Sequence, residues 1–115
     1  MIRHVVLLRW KKDADPELVE RFKNGVFELR HQLPGVLRYS AGENIGQSAE
    51  GMAAESAYSD NYDFAVCADL EDYEAYQTYA THQNHQVWIE EVVRHILAER
   101  VAVQYDLEQY GIFEA

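Results

Sequence analysis

The chain has one cysteine, two prolines and no apolar run approaching the length of a membrane span. Each scarcity excludes something. Cys67 has no partner for an internal disulfide and no CxxC neighbour, which rules out a disulfide framework and disfavours a cysteine-built zinc or redox site. Within its apolar run it reads as a small buried side chain of a cytoplasmic protein. Val5-Val6-Leu7-Leu8 is too short for the core of a secretory signal, and Arg9 interrupts it. Nothing nears the roughly 20 apolar residues that cross a bilayer, so no membrane partner is expected. Basic residues are scarce after residue 38. Residues 1–38 carry eight basic and five acidic side chains, a net of +3, while residues 39–115 carry two basic and fifteen acidic, a net of −13. Nucleic acid and anionic membrane surfaces need a basic face, so neither is an expected partner.

What is present is globular. With 115 residues, 48% hydrophobic and 26% charged, the chain is long enough for one domain with one proper core. Ile2 to Trp10 reads as a strand that is apolar on both faces at its centre, with His4 on the face of Val6, Leu8 and Trp10. Asp15-Pro16 is a helix start, because Asp accepts from free amides and Pro is favoured at the first helical position. Leu18, Phe22, Val26, Leu29 and Leu33 then form an apolar stripe that Pro34-Gly35 closes. Gly25 inside that stripe costs about 1 kcal/mol against Ala, and close packing on a sheet would explain it. Val36 to Asn44 reads as a second strand, 45–60 as a long loop and Tyr62 to Leu70 as a third strand. A helix runs from Glu71 or Asp72 to about Tyr79, a second from about Gln86 to Leu97, and a last strand spans Glu99 to Leu107. Residues 1–108 form the domain and 109–115 a short tail.

This β-α-β-β-α-β order, with its second helix split, predicts a ferredoxin-like α+β sandwich with an antiparallel sheet. Two helical elements can cover only one face of a four-stranded sheet. The first and third strands nevertheless look apolar on both, so a second copy of the sheet is expected over the open face, in a barrel-like homodimer.

Between the split helices lies Tyr79-Ala80-Thr81-His82-Gln83-Asn84-His85, where two of five histidines stand three residues apart beside a tyrosine. A neutral imidazole, with an ordinary pKa of about 6.5, suits proton abstraction near neutral pH. A tyrosine hydroxyl suits donation to an oxyanion. The opposing reading is structural: His82 as a helix cap or surface residue, His85 and His4 as satisfied, partly buried histidines. A metal on His82 and His85 lacks a third ligand at a telling spacing, and no cofactor is expected.

Met1-Ile2-Arg3-His4-Val5-Val6-Leu7, Leu33-Pro34-Gly35, Gly42-Glu43-Asn44, Tyr62-Asp63-Phe64-Ala65, the two-histidine stretch and Arg100-Val101-Ala102-Val103-Gln104-Tyr105-Asp106 together resemble the stress-responsive α/β-barrel domain family, over about residues 1–108. Gln83 departs from the Tyr-x-x-His-Pro-x-His pattern of that family. The resemblance implies a dimeric α/β barrel with a ligand cavity. One plant member of the family closes a linear polyketide acid by an aldol-type condensation. Its tyrosine and second motif histidine correspond to Tyr79 and His85, and its first-strand pocket histidine to His4. The resulting expectation has His85 as base, Tyr79 orienting it or the substrate, and His4 in the same pocket, with Val6, Leu8, Trp10 and His82 as candidate ligand contacts. Three classes of function stand open: a small-molecule binder, a cofactor-free cyclase-like or monooxygenase-like enzyme, and a non-catalytic stress or assembly protein.

Overall fold

The structure, a computed structural model, describes residues 1–45 and 61–115. The expected long loop at 45–60 lies, past Ile45, outside the described residues. Four strands, β1 (Ile2–Trp10), β2 (Val36–Glu43), β3 (Phe64–Leu70) and β4 (Leu97–Asp106), form one sheet in the order β2-β3-β1-β4. All neighbouring pairs are antiparallel. Helices pack on one face of this sheet, giving the expected ferredoxin-like α+β fold.

The register decides which side chains meet. His4 stands opposite Ala68 and Gln104, Val6 opposite Val66 and Ala102, and Leu8 opposite Phe64 and Arg100. Side chains alternate along a strand, so these positions share the helix-covered face. There Val6, Leu8, Phe64 and Val66 join Phe22, Val26, Val92, Val93 and Ile96 in one core cluster. Leu29, Leu33, Ala68, Leu70 and Tyr79 form a second. Val5, Leu7, Val101 and Val103 fall on the opposite face, and Val101 and Val103 are exposed.

Helix α1 (Pro16–Gly25) begins as the sequence predicts: the Asp15 carboxylate accepts from the Glu17 amide, with Pro16 at the first turn. It ends earlier than the apolar stripe suggests. A 3-10 turn at Glu28–His31 follows, and Phe22, Val26, Leu29 and Leu33 are all buried although one helix does not carry them. Gly25 packs on a neighbouring helix rather than on the sheet: a Cβ there would lie 2.7 Å from Cη2 of Trp88. Gly35 has φ of +80°, which favours glycine at the turn into β2.

Helix α2 (Tyr73–Thr81) is capped by Asp72, whose carboxylate accepts from the Ala75 amide. Helix α3 (Gln83–Trp88) starts after a single residue, three positions earlier than its apolar pattern suggests. A π-helical turn at Ile89–Val93 and the short α4 (Arg94–Ile96) continue it into β4. The π turn was invisible to a 3.6-residue period. It lets Ile89, Val92 and Val93 all face inward. β3 begins at Phe64 rather than Tyr62, because Asp63 instead turns the chain: its carboxylate accepts from the Trp10 amide at 2.8 Å. Cys67 is half-buried rather than buried, since it lies opposite Val5 on the open face.

Candidate functional site

Between the sheet and the helices lies a cavity of about 270 Å³, lined from β1 by His4, Val6 and Leu8 and from the motif by Tyr79 and His85. It is formed within a single chain. This size is near the lower end for small-molecule pockets. A wider depression of about 730 Å³ runs past Pro16, Glu20, Arg21 and Trp88, but it is an open surface trough without a group poised for proton transfer.

His4 is 3% exposed. Its Nδ1 lies 2.7 Å from Oε1 of Gln104. An amide oxygen only accepts, so Nδ1 carries the proton and Nε2 keeps the lone pair. The same logic applies to His85, whose Nδ1 lies 3.2 Å from the Ala80 carbonyl. Both imidazoles therefore keep the free lone pair on Nε2. Burial lowers the pKa of each; their hydrogen bonds oppose the shift, and the nearby Arg100 charge adds to it. Both are neutral at pH 7.

Tyr79 stands between them. Its ring centroid is 5.8 Å from that of His4, edge-on, and 5.1 Å from that of His85. Burial pushes its hydroxyl up to about 12, so it stays a donor at any physiological pH. Tyr39 supports it: burial also raises the Tyr39 pKa, and its hydroxyl donates to the Val26 carbonyl at 3.1 Å.

Two expected contacts fall elsewhere. Trp10 packs in the core, edge-on to Phe22 at 5.0 Å and 6.1 Å from Phe64. It is on the right face of β1 but beyond the end of the cavity. His82 is a cap: it ends α2 with ψ of 139°, and its Nδ1 accepts from the Asn84 amide at 3.1 Å. That bond occupies the ring nitrogen and turns it from the cavity. Gln83, where the family pattern has Pro, is the first residue of α3, a position that Pro favours but does not require.

The cavity also contains residues that sequence reasoning missed, chiefly Tyr39, Trp88 and Arg100. A signal existed for two of them. Tyr39 sits opposite Ala68, which also pairs with His4. Arg100 alternates with Val101 on β4 and so shares the face of Gln104. Among the described residues, no three of His, Cys, Asp and Glu gather as a metal site.

The model of the stress responsive A/B barrel domain matches residues 2–107. The chain belongs to this family. A dimeric ferredoxin-like protein of unknown function from Thermobifida fusca YX is 34% identical, with 92% of this chain and 90% of that one covered and a TM-score of 0.72. A hydroxynitrile lyase from Passiflora edulis shares the fold at 15% identity, with 94% of each chain covered and a TM-score of 0.73. So does an antibiotic biosynthesis monooxygenase, at 14% identity and a TM-score of 0.64, covering 92% of this chain and 97% of that one. No curated protein matches the chain. Among the described residues, no helix is long and apolar enough to cross a membrane.

Proposed function

We propose that this family member binds a small organic molecule in the cavity between its sheet and its helices. The observation that carries the reading is the meeting of His4, Tyr79 and His85, from separate elements, around one mostly apolar space. An apolar chamber with a few convergent polar groups is the usual form of a ligand site. In this reading the apolar wall of Val6 and Leu8 holds the ligand body, while the two Nε2 atoms and the Tyr79 hydroxyl orient its polar end. The protein acts as a homodimer closed over the open sheet face, and it works in the cytoplasm.

A second reading adds chemistry to the same geometry. Two neutral imidazoles with free Nε2 lone pairs beside a permanent hydroxyl donor form a base-and-donor set. His85 removes a proton next to a carbonyl, and Tyr79 donates to the enolate oxygen. A hydroxynitrile lyase and an antibiotic biosynthesis monooxygenase share this fold, so the fold is compatible with catalysis. A purely structural role in stress or assembly has no feature of the cavity in its favour.

The test is a titration of the purified protein with a library of small organic compounds, followed through the imidazole C2 proton resonances. Binding is expected to move the His4 and His85 signals and leave those of exposed His31 and His95 in place. A library that moves none of them rules the reading out. For any compound that turns over, His85→Ala is expected to abolish turnover, and full activity in that variant removes the catalytic reading.

A further inference from the structure

Among the described residues, the cavity lining includes no aspartate and no glutamate, in a chain with twenty of them. Its one formally charged member among the described residues is Arg100. Only two basic residues occur after residue 38, and the other, Arg94, is paired with Glu90 on the outer surface. Among the described residues Arg100 forms no ion pair. It is exposed as well as lining the cavity, so it stands at the mouth. Its strand position faces it toward the helices: it lies opposite Leu8, on the same face as His4 and Gln104. Its neighbour Glu99 points the other way and is held by Arg9 and by the Tyr62 hydroxyl.

We propose that Arg100 makes the cavity selective for organic anions, a carboxylate on a small apolar body, by binding the acid group at the mouth. This rests on the cavity being a ligand site and adds the class of ligand. The chemistry is direct. A guanidinium presents a planar fork of donors that matches a carboxylate, and it remains charged at every relevant pH. A carboxylate in the mouth faces no like charge from the described wall residues. The Val6 and Leu8 surface beyond it takes an apolar body but would reject a second charge. Arg100 already acts electrostatically on this space, since its charge contributes to holding both histidines neutral. An anion placed beside it cancels that influence, so binding should draw a proton toward His4 or His85.

The experiment compares 4-methylbenzoate with 4-methylbenzamide, and hexanoate with hexanamide, by the same imidazole resonances. Each member of a pair has nearly the same shape and differs in charge. The wild-type protein is expected to bind the acids about tenfold more tightly than the amides. The preference should grow as pH falls from 7.5 to 6. Arg100→Gln should abolish it by weakening acid binding about tenfold more than amide binding, and Arg100→Lys should restore part of it. Arg100 supports no other described side chain, so the melting temperature of Arg100→Gln should match wild type. Amides binding as tightly as acids, or an acid preference that survives Arg100→Gln, overturns the role of Arg100 and leaves the cavity reading standing. If neither acid moves the His4 or His85 signals, the acid class proposed here falls, and the library titration decides the cavity reading separately.

Discussion

At the scale of single residues, the site depends on burial more than on residue type. His31 and His95 are the same chemical group as His4 and His85, yet both are exposed and hold no place near the cavity. His4 and His85 differ because desolvation lowers their pKa and a fixed acceptor sets their tautomer. A consequence for stability follows from linkage. An unfolded histidine takes up its proton near pH 6.5, while these two resist it when folded. Just below pH 6.5 the unfolded chain thus binds more protons than the native one. The stabilisation from the neutral histidines is complete above about pH 6.5 and is lost as pH falls toward their folded values. Urea unfolding between pH 7.5 and 5.5 should show stability falling with pH, and His4→Gln should make that fall shallower. An unchanged slope in His4→Gln would show that His4 titrates alike in both states. The Asp69 carboxylate belongs to a lower window. Arg3 holds it below the ordinary carboxylate range through two bonds of 2.8 Å, so its contribution is lost only under stronger acid.

At the scale of elements, the motif works as a joint. His82 ends one helix and starts the next by its own ring nitrogen, and this aims Tyr79 and His85 at one space from opposite sides of the break. The π turn that follows continues the inward wall through Ile89 and Val93. π turns inserted in α-helices are frequent at functional sites. Trp88, just before it, reaches Gly25 of α1 and closes the cavity from the helix side. Gly25→Ala would gain about 1 kcal/mol of helix propensity. Its new Cβ would meet the Trp88 ring at 2.7 Å, and overpacking of this kind costs about 1–3 kcal/mol. The expected outcome is a less stable protein with a displaced tryptophan, visible as a lower melting temperature and a shifted Trp88 indole resonance. A melting temperature above wild type would show that the ring yields freely.

At the scale of the whole molecule, the open sheet face remains to be covered. Val103 is 53% exposed, Val101 40% and Tyr105 42%, on a face that also carries Val5, Leu7 and the half-buried Cys67. Such a continuous apolar face is unusual on an isolated monomer. Three solved relatives of this fold are described as dimeric. Val103→Glu places a carboxylate on this face and, across a two-fold axis, a second one near it. Sedimentation should give a dimer for the wild type and a folded monomer for the variant. A variant that stays dimeric would place the interface elsewhere.

The sequence by itself determined the element order, the apolar stripes and the strand β1 to the residue, because each rests on local periodicity and capping. It also brought His4, Tyr79 and His85 into one candidate group, through the resemblance carried by the motif. It did not determine where the first long helix ends, since the stripe of Phe22, Val26, Leu29 and Leu33 stays buried across a break. Nor could it say how far along the His4 face of β1 the cavity reaches, which left Trp10 in the core and put Val6 and Leu8 on the cavity wall. Those outcomes are set by which side chains approach across the fold: Trp88 over Gly25, Gln104 beside His4, Arg100 opposite Leu8. Such contacts join residues up to 100 positions apart, and no local pattern encodes them.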